Sequence, residues 1–110
     1  MARALITIPP NPKINSVIEI RALIQHPMET GLRPDAEGKI MPRNIIRKFE
    51  CRFIAGDKSD LIFSAELFPA ISANPYIAFH LRAAQNGTLN FQWTGDNGFT
   101  QTETASLVVV

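Results

Sequence analysis

Ile77-Ala78-Phe79-His80-Leu81-Arg82-Ala83-Ala84-Gln85-Asn86-Gly87-Thr88-Leu89-Asn90-Phe91-Gln92-Trp93 is the stretch that decides the fold. Ile77, Phe79, Leu81 and Ala83 fall on one side of an extended chain, and Leu89, Phe91 and Trp93 repeat the habit after Asn86-Gly87. Alternation with period two marks half-buried strands, whereas a helix would show a 3.6-residue period. A two-residue loop at Asn86-Gly87 would pair Arg82 with Phe91 and His80 with Trp93, mixing polar and apolar faces. A loop of Gln85 to Gly87 instead pairs Leu81 with Phe91 and Phe79 with Trp93. That hairpin register is the expectation, with Gly87 left-handed in a bulge.

The same pattern spreads outward along the chain. Ile14, Ile18, Ile20, Ala22 and Ile24 share one face, with Asn15, Val17, Glu19, Arg21 and Leu23 opposite. Ile45, Phe49, Cys51 and Phe53 share another, interrupted by Arg47, and Leu61, Phe63, Ala65 and Leu67 a third. Turn chemistry separates the runs at Pro9-Pro10-Asn11-Pro12, Gly56-Asp57, Asn74-Pro75 and Asp96-Asn97-Gly98. Several short strands at this spacing, with no persuasive helix, predict an all-β immunoglobulin-like antiparallel β-sandwich. The 110 residues read as a single domain, 1–110, without repeats or linkers. A lone cysteine forbids the usual inter-sheet disulfide, so apolar burial has to hold the sheets together.

Composition narrows the function. A net charge of +1 gives no field for nucleic acid or anionic membranes, and no apolar run is long enough to span a bilayer. Ala4-Leu5-Ile6-Thr7-Ile8 stops at Pro9-Pro10, which does not read as a secretory signal. His26 and His80 lack metal-ligand spacing, and His80 falls on a polar face. Cys51, between Phe49 and Phe53, reads as an inert core thiol. No paired carboxylates, phosphate-cradling glycine loop or elbow serine is present, so no enzyme, cofactor or metal is expected.

One segment is not explained by strand physics. His26-Pro27-Met28-Glu29-Thr30-Gly31-Leu32-Arg33 interrupts the β pattern with a proline, a thioether, two charges and a glycine. Gly31 reads as a site of positive φ or close backbone approach. Arg33, Lys39 and Arg43 either pair with Glu29, Asp35 and Glu37 or orient a docking partner. Val17, Leu23, Ile46, Ile54, Ile62 and Phe68 fall opposite the core, and a contiguous apolar set there would mark a contact surface.

The segment His26 to Arg33, then Gly38-Lys39-Ile40-Met41-Pro42-Arg43-Asn44-Ile45-Ile46, Asn74-Pro75-Tyr76-Ile77-Ala78-Phe79, and Trp93 before Asp96-Asn97-Gly98, resemble the SoxZ family in order. This resemblance implies a noncatalytic subunit that pairs with a SoxY-type carrier as a heterodimer. The carrier would hold sulfur intermediates of thiosulfate oxidation on a cysteine in a mobile C-terminal tail, with other Sox enzymes docking transiently. It also implies a periplasmic location reached by co-export with the partner. This chain ends Ser106-Leu107-Val108-Val109-Val110, as expected of the helper rather than the carrier. Partner-binding candidates are His26, Met28, Glu29, Arg33, Arg43 and Tyr76. The competing expectations are a stand-alone adhesion or ligand-binding sandwich, the Z subunit of a similar carrier in another periplasmic oxidation system, and a small metal protein or enzyme using His26, Cys51 or His80.

Overall fold

The computed structural model describes residues 3–110, so the first two residues of the expected 1–110 domain lie outside the described residues. Seven strands form: β1 (Ala4–Thr7), β2 (Val17–Ile24), β3 (Ile46–Ala55), β4 (Lys58–Glu66), β5 (Tyr76–Arg82), β6 (Gly87–Gly95) and β7 (Thr100–Leu107). A 3-10 turn at Asp96–Gly98 joins β6 to β7. Two antiparallel sheets result, β1-β2-β5 and β4-β3-β6-β7, as the alternation predicted.

Between them lies an aromatic core centred on Phe49. Its ring lies 5.1 Å from Trp93, 6.0 Å from Phe63, 6.2 Å from Phe91 and 6.4 Å from Phe79, measured between centroids. Phe63 of β4 and Phe79 of β5 stack at 4.5 Å, bridging the sheets at one flank. Ile20, Ile24, Cys51 and Leu89 are buried beside these rings. Burial of each large side chain contributes roughly 1.5–3 kcal/mol, which is how the sandwich holds without a disulfide.

The expected hairpin does not form. β5 pairs with β2, and β6 pairs with β3 and β7, so Ala83 to Asn86 carries the chain from one sheet to the other. Leu81 and Phe91 do face the same core, but from opposite sheets. Alternation reports that a residue points inward, and not which sheet it belongs to. Gly87 does not have the left-handed φ expected of it; its missing side chain makes room for Phe53, whose ring carbon a Cβ would meet at 2.5 Å.

Two β-bulges overturn the expected phasing. Ile46 pairs with Gly95 and Lys48 with Thr94, leaving Arg47 as the extra residue. Ile45 and Ile46 are therefore both buried, and Ile46 belongs to the core rather than to an outer patch. On β4, Cys51 opposes Phe63 and Arg52 opposes Leu61, so Ile62 is the extra residue. It leans onto the core and turns Leu61 outward, 47% exposed, against its expected inward place. Ile14, also assigned to the core face, is exposed in the segment before β2. β1 and β7 went unread, because Ala4–Thr7 is short and Thr100–Leu107 offers threonine and serine on its outer face.

Phe49→Ala removes the shared contact of four rings and should lower unfolding free energy by about 3–5 kcal/mol in urea titrations. Gly95→Ala should also destabilise, because its Cβ would fall 2.4 Å from the Ile45 carbonyl oxygen.

Candidate functional site

Residues 25–45 connect β2 to β3 and carry the segment that strand physics left unexplained. Two isolated bridges, Glu29–Asn44 and Pro34–Ile40, fold the excursion back on itself. Glu29 and Asn44 exchange both backbone hydrogen bonds at 2.8 Å, and Asp35 Oδ1 accepts from the Glu37 and Lys39 N–H groups at the tip. The long loop is thus a short ribbon standing at one end of the sandwich.

Its base is built from His26 and Met28, which are only 5% and 4% exposed. The His26 N–H donates to Asn74 Oδ1 at 3.0 Å, and the Asn74 N–H returns to the His26 carbonyl at 2.8 Å. His26 Nδ1 accepts from the Met28 N–H at 3.0 Å, which assigns the ring proton of the neutral form to Nε2. The ring meets Phe99 edge-on at 4.9 Å. Met28 sits at φ 49°, a left-handed conformation that costs a non-glycine residue of order 1–3 kcal/mol. Its Sδ accepts from the Ile46 N–H at 3.3 Å, which locks the strained residue against the bulge. Methionine has no preference for positive φ, so nothing in the sequence announced this.

The second half of the site surrounds Asp96. Arg43 donates from Nε and Nη2 to both Asp96 oxygens at 2.8 and 2.9 Å, Arg47 approaches at 3.3 Å, and the Ile45 N–H donates at 3.2 Å. Pairing with the acids of its own loop, one of the two alternatives open for Arg43, does not occur. Glu29 instead pairs with Arg33 at 2.6 Å, and Lys39 makes no ion pair with Asp35 or Glu37. Gly31 has φ 83°, and a Cβ there would approach the Arg43 Cβ to 2.9 Å; both features expected of this glycine are present. The loop thereby backs directly onto the Arg43–Asp96 pair.

Of the six candidates, Arg33 and Arg43 are exposed around the ribbon, Glu29 is largely covered with its side chain 13% exposed, and His26 and Met28 are internal supports. Tyr76 stands apart on the outer face of β5, more than half exposed, in register with Leu23 of β2, which is itself opposite Leu5 of β1. These three form a cross-strand apolar row at the end of the sheet where Asn74 anchors His26. Val17, Leu23, Ile46, Ile54, Ile62 and Phe68 do not form one contiguous patch: Val17 and Phe68 are exposed in different sheet regions, and Ile46 is core.

Charge and burial set the ionisation. The hydrogen bond from Arg43 holds the Asp96 carboxyl below its ordinary range, against an opposing push from burial, and the bond from Arg33 does the same for Glu29. Burial lowers the His26 pKa despite the nearby Asp96 charge. Burial alone pushes the Cys51 thiol up to about 12, so it is protonated and unreactive at neutral pH. His80 is exposed, 4.0 Å from Glu19. Among the described residues, no three His, Cys, Asp or Glu side chains are grouped to hold a metal.

The family model described as sulphur oxidation protein SoxZ matches residues 6–106. No curated protein sequence matches the chain. Among solved structures, superoxide reductase (neelaredoxin) from Ignicoccus hospitalis superposes with TM-score 0.73 at 15% identity, covering 97% of this chain and 80% of that one. The sulfur carrier protein SoxY from Chlorobium limicola f thiosulfatophilum gives TM-score 0.65 at 13% identity over 97% and 78%. Superoxide reductase from Archaeoglobus fulgidus gives 0.64 at 15% over 96% and 88%. At these identities the similarity is one of fold.

Because His26 has a lowered folded pKa, the unfolded chain binds more protons just below its ordinary value of 6.5. Stability should therefore fall as pH drops through that window, before the carboxylates of Glu29 and Asp96 begin to protonate. Urea midpoints between about pH 7.5 and about pH 5.5 check this, and His26→Asn should flatten the slope. Asp96→Asn should leave the sandwich folded but release the ribbon, read as faster proteolytic cleavage within residues 30–44.

Proposed function

The chain belongs to the SoxZ family of sulphur oxidation proteins, and from that premise we propose that it is the noncatalytic subunit of a SoxYZ-type carrier complex. In this reading a SoxY-type partner carries the sulfur intermediates of thiosulfate oxidation on a C-terminal cysteine. The present chain supplies a rigid origin for that swinging tail and a docking surface for visiting Sox enzymes. The complex works in the periplasm, reached by co-export with the partner.

The observation that carries the proposal is the ribbon of residues 25–45. Its base is over-determined by His26, Met28 and the Arg43–Asp96 clamp, while the exposed guanidinium of Arg33, paired with Glu29, stands on its outside. Rigid polar display suits recognition. The Leu5–Leu23–Tyr76 row beside it offers the apolar contact that a lasting association needs. Together they are the surface to which we assign the carrier, in an obligate interface of about 2,000 Å² or more in total. The buried, protonated Cys51 supports the same division of labour, since it is poorly suited to carry cargo itself.

The expected outcome is a stable heterodimer on gel filtration when the chain is mixed with a SoxY-type subunit. Glu29→Ala with Arg33→Ala should fold normally and bind that subunit more weakly in titration calorimetry. An unchanged affinity would remove the ribbon from the interface, and a chain that stays monomeric beside the carrier would remove the assignment altogether.

A further inference from the structure

The bulge at Arg47 has an effect on the outer face of the four-stranded sheet. In a regular strand, consecutive residues point to opposite faces. Here Arg47 and Lys48 both point outward, between the buried Ile46 and Phe49. Bulges re-aim side chains in this way and are common beside functional sites. The two cations look onto a groove of about 500 Å³ whose lining includes Arg43, Glu66, Leu67, Phe68 and Pro69. Phe68 is 61% exposed on its rim, an aromatic ring with little of its own protein to cover it.

Positive charge is in excess there. Arg43 and Arg47 share the single carboxylate of Asp96, at 2.8 and 3.3 Å. Lys48 and Arg52 share that of Glu50, at 3.7 and 3.9 Å. Each acid is divided between two bases, and Glu66, paired in register with Lys48 across the ladder, is the further acid on the groove.

We propose that this groove docks an acidic, extended segment of another protein, placing carboxylates on Arg47 and Lys48 and an apolar side chain on Phe68 and Leu67. Shared acids leave Arg47 and Lys48 able to accept a further anion, and both side chains are about half exposed or more. The volume lies in the range of ligand sites and far exceeds what a lone inorganic oxyanion fills. The apolar lining of Leu67, Phe68 and Pro69 gives such an ion nothing to contact, whereas a peptide with an apolar residue among its acids uses both halves. The proposal goes beyond the carrier-subunit reading and does not depend on it, since the groove lies on the opposite sheet from the Leu5–Leu23–Tyr76 row.

The test is fluorescence anisotropy of a short labelled peptide in which glutamates flank one phenylalanine, titrated with the whole chain and without any SoxY-type subunit. Binding should weaken as salt is raised. Arg47→Gln with Lys48→Gln should reduce affinity roughly tenfold, as two partly exposed ion pairs would. Phe68→Ser, at an exposed position, should weaken binding separately, and Glu66→Gln, which removes a repelling charge, should strengthen it about twofold. Equal binding of the glutamine version of the peptide would overturn the proposal, as would unchanged affinity in both the double variant and Phe68→Ser. Displacement by inorganic sulfate, at an ionic strength where chloride has no effect, would instead show a small-anion site and equally overturn it.

Discussion

The Asp96 carboxylate is the constraint on which the ribbon end of this molecule depends. It sits in the turn after β6, yet it accepts hydrogen bonds from Arg43 and from the Ile45 N–H, across more than fifty residues of sequence. The Asp96 N–H in turn donates to the Ile45 carbonyl at 2.9 Å. One residue thus fastens the return arm of the 25–45 ribbon to the sheet and neutralises part of two arginines. Charge-assisted bonds of this kind are directional, so the attachment sets orientation as well as proximity.

Beneath that clamp, the aromatic core makes a platform stiff enough for the clamp to matter. Phe49 touches four other rings, and the Phe63–Phe79 stack closes one flank between the sheets. A dense core transmits position faithfully because it has few alternative packings. The ribbon stands on this base through Met28, whose strained backbone is held by His26 on one side and by Ile46 on the other. Strain retained at a surface excursion, and compensated by buried partners, is a common companion of recognition sites. The buried Cys51 thiol lies inside that platform and stays protonated at neutral pH.

Much of this was legible in the residues. Period-two alternation specified strands and their inward faces, and the absence of a disulfide pair specified an apolar core. Gly31 announced its own backbone conformation. What failed, failed for identifiable reasons. The Phe79–Leu81 and Phe91–Trp93 runs face one core, but alternation cannot say whether two such runs neighbour each other or oppose each other across it. The bulges at Arg47 and Ile62 each shift the phase by one residue, which moved Ile46 inward and Leu61 outward. Arg43 finds its acid 53 residues away, a partner that local charge counting does not offer. His26 and Met28 were rightly singled out as unusual for a strand-rich chain, but burial makes them supports of the site rather than its surface.

The central claim is that this chain is an unreactive platform that grips a SoxY-type carrier through the ribbon and the neighbouring outer row of β1, β2 and β5. Hydrogen–deuterium exchange of the chain, alone and with such a carrier subunit, tests it most directly. The account predicts new protection across residues 26–44 and around Leu5, Leu23 and Tyr76, with the outer face of β7 unchanged. Protection confined to other strands, or none at all on mixing, would contradict it.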